Sequence, residues 1–264
     1  MASLSAAQLN ILLVEPSPLQ RKIITQQLNA AGVLAIDSAD SVQAATDSIN
    51  HIKPDLIVSA LHFPDGTALD LLGWIRHTPE FAELPFMLVS SETRRQQLET
   101  FKQSGVIAIL PKPFTHQNLS SAIAATIDLL SSDELSLEFY DTETLRVLIV
   151  DDSRMARKMI QRVLSNLGIN NFAQAADGSE AITMLENETF DLVVTDYNMP
   201  EVNGLELTEY IRSHETLSHL PILMVTSEAN QTHLSNVAQS GVNAMVDKPF
   251  EPTLVKRLLQ RMLD

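Results

Sequence analysis

The sequence predicts an α/β protein made of two doubly wound, five-stranded parallel-sheet domains, and three observations carry that reading. First, the chain repeats itself at an offset of 136 positions. Arg21-Lys22 pairs with Arg157-Lys158, Gly32 with Gly168, Asp55-Leu56 with Asp191-Leu192, and Lys112-Pro113-Phe114 with Lys248-Pro249-Phe250. A period this long marks a duplicated domain, since solenoid units run roughly 20–50 residues. Second, strand-like and helix-like segments alternate through both halves, the pattern of a parallel sheet covered by helices on both faces. Third, the third and fourth strand candidates of the second half are continuously apolar, as strands buried on both faces must be.

The elements follow in order. In the first half, strands are expected near 11–14, 33–36, 55–59, 85–89 and 106–110. In the second they are expected at 146–150, 172–175, 191–195, 221–225 and 243–247. Between the first two of these, residues 154–167 place Met155, Met159, Ile160, Val163, Leu164 and Leu167 at helical spacing. Ser153 suits the N-cap of that helix and Gly168 its end. Residues 131–145 join the halves. They contain no Gly or Pro, carry Leu135, Leu137, Phe139 and Tyr140, and are acidic through Asp133, Glu134, Glu138, Asp141 and Glu143. This is not a flexible Gly/Ser tether, and its apolar residues are expected to pack on one or both domains. The expected division is therefore 1–130, a junction at 131–145, and 146–264.

Composition narrows the function classes. The chain carries a formal charge of −15 and no cysteine. Neither a disulfide framework nor a thiolate metal site is available. Nucleic-acid binding and attachment to an anionic membrane both need a basic surface, and Lys and Arg form no block here. The N-terminus lacks the pattern of a signal peptide, and no apolar run approaches the ~18 residues of a membrane span. A cytoplasmic protein is expected.

Chemistry concentrates in the second half. Asp151, Asp152 and Asp196 follow apolar runs and should converge at the C-terminal ends of the first and third strands, where sites form in such sheets. Three carboxylates in one pocket repel, so they ionise together only around a cation. Oxygen ligands select a hard ion, and Mg²⁺ suits a few carboxylates, several waters and a phosphoryl oxygen. Thr226 follows the fourth strand and Lys248 the fifth. The set describes a site that accepts a phosphoryl group on Asp, with cations neutralising the transferring group. Taken alone, the Asp151-Asp152 pair could as well cap the following helix, and Lys248 could be a surface lysine. Asp191 reads as structural. Met199, Met224 and Met245 read as packing, and His214, His219 and His233 as surface residues.

Here a resemblance becomes specific. Val-Asp-Asp-Ser at 150–153, Asp-Tyr-Asn-Met-Pro-Glu-Val-Asn-Gly-Leu-Glu-Leu at 196–207, Met-Val-Thr-Ser-Glu at 224–228 and Asp-Lys-Pro-Phe at 247–250 resemble the receiver domains of two-component response regulators, of the CheY-like kind. The resemblance implies a flavodoxin/CheY-like sheet of strand order 2-1-3-4-5. It implies Asp196 as phosphoacceptor, Asp152 and Asp196 as direct Mg²⁺ ligands with the Asn198 main-chain carbonyl, and Asp151 acting through water. Thr226 would be the conformational switch, Lys248 would pair with the phosphorylated carboxylate, and Lys248-Pro249 would be cis. Asn198 and Glu228 would tune phosphoryl lifetime. A histidine kinase or phosphotransfer protein would donate the group, and a downstream protein would read it, with chemotaxis one such pathway. One departure is Met245, which stands where the family often carries an aromatic switch residue.

The first half has the same family shape over roughly 9–130 but not the same chemistry. Ser90 and Lys112 keep the hydroxyl and lysine positions. Glu15 stands for Asp151, Pro16 for Asp152, Ala60 for Asp196 and His62 for Asn198. Alanine accepts no phosphoryl group and proline offers no side-chain ligand. Lys112 is left either solvated or paired with Glu15, and Asp65 is a poorly placed substitute acceptor. This half is expected to act by interaction or regulation, since a fold can outlive its chemistry.

Competing readings are a phosphate sink or relay component, a structural adaptor docking through the first half, and an Asp-nucleophile phosphatase. The last lacks a proton donor, because position 198 is Asn. No enzymatic activity is expected beyond Mg-dependent self-phosphorylation and autodephosphorylation, and no effector domain is expected after the last helix.

Overall fold

A computed structural model describes residues 5–92, 95–130, 142–226, 241–248 and 252–263. The chain divides into two compact units, 1–131 and 132–264. The first unit contains β1 (Asn10–Val14), α1 (Pro18–Ala30), β2 (Ala35–Ala39), α2 (Val42–Ile52) and β3 (Leu56–Ser59), then a small hairpin of β4 (His62–Phe63) and β5 (Gly66–Thr67). It continues with α3 (Ala68–His77), β6 (Phe86–Ser90), α4 (Arg95–Gln103), β7 (Ala108–Pro111) and α5 (His116–Leu130). The second unit contains β8 (Arg146–Val150), α6 (Arg154–Asn166), β9 (Asn171–Ala175), α7 (Gly178–Asn187), β10 (Leu192–Asp196), α8 (Gly204–Ser213), β11 (Ile222–Thr226), β12 (Ala244–Asp247) and α9 (Pro252–Leu263).

Each unit holds a five-stranded parallel sheet, ordered β2-β1-β3-β6-β7 and β9-β8-β10-β11-β12. Both are the 2-1-3-4-5 order within their own half. The central strands are buried on both faces because their side chains alternate between two helical layers. In the second unit Leu148 and Val150 face a core with Val193, Leu207, Ile211 and Leu185. Val147 and Ile149 point the other way and are equally buried. The first unit repeats this with Leu12, Val14, Ile57, Leu71 and Ile75.

Local chemistry sets the helix ends. Ser153 accepts a hydrogen bond from the Ala156 N–H at 3.2 Å, and Ser17 does the same for Gln20 at 3.4 Å. Gly168 and Gly32 adopt φ of +93° and +90° after α6 and α1, a conformation that carries little penalty only without a Cβ. Asp191 accepts from the Arg146 N–H at 2.8 Å, as Asp55 does from Asn10, so each pins the start of the first strand.

Strand ends differ from the expected ones by at most three residues, the largest shift at the end of β2, and β8 has the expected bounds. β2 begins at Ala35 because the Val33 N–H still closes α1 on the Leu28 carbonyl at 3.1 Å. The hairpin β4–β5 was not expected. It pairs His62 with Thr67 and Phe63 with Gly66 around Pro64-Asp65, and Pro-Asp-Gly favours such a turn. The expected packing of Leu135, Leu137, Phe139 and Tyr140 lies outside the described residues. Among the described residues, no helix is long and apolar enough to cross a membrane.

Candidate functional site

In the second unit β8 and β10 are neighbours in register, with Val150 opposite Thr195. Their next residues, Asp151 and Asp196, therefore leave the sheet side by side. Asp152 follows on the loop into α6. Ligand oxygens of Asp151, Asp152 and Asp196 all lie within 4.8 Å of one another. Asp151 and Asp196 are buried, whereas Asp152 is exposed at the mouth.

Two neighbouring elements complete the site. Thr226 ends β11, and Lys248 follows β12; both are buried. The Lys248 Nζ lies 2.8 Å from Asp151 Oδ2 and 3.0 Å from Asp196 Oδ1. Asp151 Oδ1 accepts from the Ser153 N–H at 2.8 Å. Neither oxygen of Asp196 has a hydrogen-bond partner of good geometry, so its contact with Lys248 is one of charge.

The electrostatics follow from this crowding. Burial raises the Asp196 carboxyl to about 6; Lys248 opposes the rise and Asp151 adds to it. Burial also raises Asp151, again against Lys248. For Lys248 burial works downward, but Asp196 and Asp151 outweigh it and hold the ammonium above its ordinary value. Three carboxylates face one ammonium, which leaves a surplus of negative charge in a dry pocket. A divalent hard cation would satisfy both that surplus and the bare Asp196 oxygens, so the donor set fits Mg²⁺.

Two further residues shape the site. Arg157, one turn into α6, donates to the Asp151 carbonyl and to Gln174 Oε1, the latter at 3.2 Å. Gly204 opens α8 so close to β10 that a Cβ there would sit 2.1 Å from the Asp196 carbonyl oxygen. The only signal for Arg157 was its place in the repeated Arg-Lys pair. Gly204 stood in the Asp196–Leu207 motif without a role.

The other expected residues fall as follows. Asn198 is exposed beyond β10. Met245 lies on β12 opposite Met224 of β11 and is half-buried. Met199 and Met224 are buried, and His214 and His219 are exposed. Glu228, His233 and the Lys248-Pro249 bond lie outside the described residues.

The corresponding crevice of the first unit is a cavity of about 540 Å³ lined by Glu15, Ala60, His62, Ser90 and Lys112 among others. Lys112 pairs with Glu15 at 2.9 Å, which decides between the two sequence expectations for it. Glu15 Oε1 accepts from the Ser17 N–H at 3.0 Å, the same bond that Asp151 makes to Ser153. Asp65 caps α2, accepting from the Val42 and Gln43 N–H groups at 2.9 and 3.0 Å. These bonds pull its carboxyl below the usual range and hold it at a helix end.

Comparison with known proteins agrees with this layout. The model of the response regulator receiver domain matches twice, at residues 11–124 and 147–260. The chemotaxis protein CheY of Pseudomonas aeruginosa is 42% identical over 120 residues, covering 46% of this chain and 97% of that protein. The chemotaxis protein CheY-3 of Vibrio cholerae is 41% identical over 122 residues, covering 46% and 94%. The receiver domain of a sensor histidine kinase from P. aeruginosa, solved with magnesium in its active-site cleft, is 30% identical with a TM-score of 0.42, covering 45% of this chain and 97% of that one. With two matches that together span most of its length, the chain belongs to the response regulator receiver family, as two receiver domains in tandem.

Proposed function

We propose that this two-component response regulator accepts a phosphoryl group on Asp196 alone, from a histidine kinase or phosphotransfer protein, and passes the signal on by protein–protein contact. The observation that carries the reading is the buried Asp196 carboxylate, 3.0 Å from Lys248 and without a hydrogen-bond partner of good geometry among the described residues. Functionally the chain divides into a non-accepting domain at 1–130, a junction at 131–145 and an accepting domain at 146–264.

In the transfer, an Asp196 oxygen forms a bond to phosphorus as the bond to the donor histidine nitrogen breaks. The nitrogen leaves with the electron pair and takes up a proton. Lys248, already paired with both buried carboxylates, offsets the charge that grows on the phosphoryl oxygens. The Thr226 hydroxyl, at the end of the adjacent strand, stands where it can follow the phosphoryl group. Asp151, Asp152, Asp196 and the Asn198 carbonyl would hold Mg²⁺, which when bound supplies positive charge to the transferring group. Asn198 at the mouth and Glu228 would set how readily water reaches the phosphoryl group. No turnover of an external substrate is part of this reading.

The likeness to CheY proteins makes chemotaxis the favoured pathway. Met245, half-buried on β12, is not an aromatic that could rotate, so the readout by the downstream protein uses another element.

Intact mass after incubation with Mg²⁺ and acetyl phosphate tests the assignment. One phosphoryl adduct is expected in the wild type and none in Asp196→Asn. An adduct mapping to residues 1–130 would overturn it.

A further inference from the structure

The first domain keeps both donors of a receiver site after losing the carboxylate they served. Ala60 stands at the end of β3 where Asp196 stands at the end of β10. Lys248 contacts two carboxylates, whereas Lys112, among the described residues, contacts only Glu15. Among the described residues, two of its three N–H donors find no acceptor. Its side chain is 24% exposed against 4% for Lys248, so it is open to the cavity. The Ser90 hydroxyl is buried, and its oxygen accepts from the Glu92 N–H at 3.0 Å. No acceptor for its proton is seen among the described residues. His62 adds an exposed ring at the rim.

Charge separates this crevice from its counterpart. Glu15 and Lys112 pair, Pro16 supplies no ligand, and Glu92 is the one other carboxylate among the lining residues, so the crevice lacks the three-carboxylate cluster that would gather a cation. The place of the missing carboxylate is instead bordered by an ammonium and a hydroxyl, both donors. Charge-assisted hydrogen bonds to an anion are about twice as strong as neutral ones. The cavity, about 540 Å³, falls in the range that holds small molecules.

We infer that the first domain is a non-covalent receptor for a small anion, a carboxylate or phosphate group that takes the position of the lost aspartyl side chain between Lys112 and Ser90. Binding needs no metal and forms no covalent bond, because no nucleophile stands at position 60. The class of ligand is a small molecule bearing one such anionic group. The remainder of the cavity admits more of the molecule than the group itself.

The test titrates the full chain in EDTA with inorganic phosphate and, separately, with acetate, each to 50 mM, followed by backbone amide NMR. Shifts confined to residues around Ala60, Ser90 and Lys112 are expected, with one site per chain. Ala60→Asp tethers a carboxylate in the same place and should weaken binding at least tenfold. Lys112→Met should do likewise. As a reciprocal check, Asp196→Ala should create no anion site at Lys248, because Asp151 and Asp152 still outnumber its one charge. Three results would overturn the inference: no shifts with either anion, shifts confined to residues 146–264, or binding that Ala60→Asp leaves unchanged. Shifts with an acidic peptide but with neither small anion would also overturn it, in favour of a protein partner's side chain.

Discussion

Asp151 and Glu15 perform the same two tasks in their respective domains, yet only one belongs to a site that can gather charge. Each accepts from the backbone N–H two residues on, and each pairs with the lysine after the fifth strand. The difference lies in what surrounds the pair. Asp152 and Asp196 add two carboxylates to the second site, while Pro16 and Ala60 add none to the first. The Glu15–Lys112 pair is balanced as it stands; the carboxylates around Lys248 are balanced only with a cation. Losing the acceptor therefore did not leave a damaged receiver. It left a self-neutralised one, with its lysine still anchored.

The sharpest way to break this comparison is to remove each lysine. In metal-free protein Lys248→Met leaves Asp151 and Asp196 buried without a counter-charge, and breaking a buried pair costs about 3–5 kcal/mol. Lys112→Met leaves one carboxylate beside a lysine site that is already a quarter open, and should cost about 1–2 kcal/mol. Urea unfolding of each variant in EDTA measures both. Equal losses would mean that the two pairs are equivalent after all.

The pH dependence sharpens it further. The Asp196 carboxyl is raised from 3.8 to about 6 in the folded protein. The folded chain therefore binds more protons than the unfolded one between these values. The associated stability is fully present below 3.8 and is lost as pH rises through 6. Asp196→Asn removes this loss and should stabilise metal-free protein at pH 7.5 by on the order of 1–3 kcal/mol, with little gain at pH 4. Chemical denaturation in EDTA at the two pH values checks the sign. Ala60→Asn in the first domain should show no such pH-dependent gain.

Metal affinity comes next. Asp152→Ala removes an oxygen ligand of a small hard cation and should weaken Mg²⁺ binding at least tenfold by calorimetry. Pro16→Ala should leave the affinity unchanged. The smallest effect concerns cooperation between the domains. Phosphorylation and dephosphorylation rates of residues 144–264 alone should differ from those of the full chain by about two- to fivefold, equivalent to a coupling of about 1 kcal/mol or less. Matching rates would make the first domain an independent docking module.

Much of the architecture was legible because its causes are local or periodic. Continuous apolar runs mark doubly buried strands, and the 136-residue offset carried every assignment from one half to the other. The convergence of Asp151, Asp152, Asp196, Thr226 and Lys248 was legible because all five follow parallel strands, whose ends share one edge. What escaped depends on distance between segments remote in sequence. Pairing of Glu15 with Lys112 was one of two sequence expectations, and only its choice over a solvated lysine, which hangs on a rotamer, needed the structure. Arg157 reaches a backbone carbonyl, which no side-chain pattern announces. The β4–β5 hairpin is local, and its Pro-Asp-Gly signal was present; the homologous stretch beginning at Asn198 has no strand, so reasoning from the repeat hid it.

The close approach of Gly204 to the Asp196 carbonyl bears on how such a domain can change over time. A Cβ at 204 would collide with that oxygen, yet the first domain carries Ala68 at the matching position, fully buried. The Ala68 N–H still donates to the Leu61 carbonyl at 2.9 Å, as Gly204 does to Tyr197 at 3.0 Å. The first domain therefore accommodates at position 68 a methyl group that the second has no room for at 204. Restoring Asp at position 60 alone returns a carboxylate to the crevice but not the second metal ligand, because Pro16 stands where Asp152 does. The loss of chemistry is thus spread over Pro16 and Ala60, with Ala68 standing where Gly204 does, and a single substitution does not reverse it.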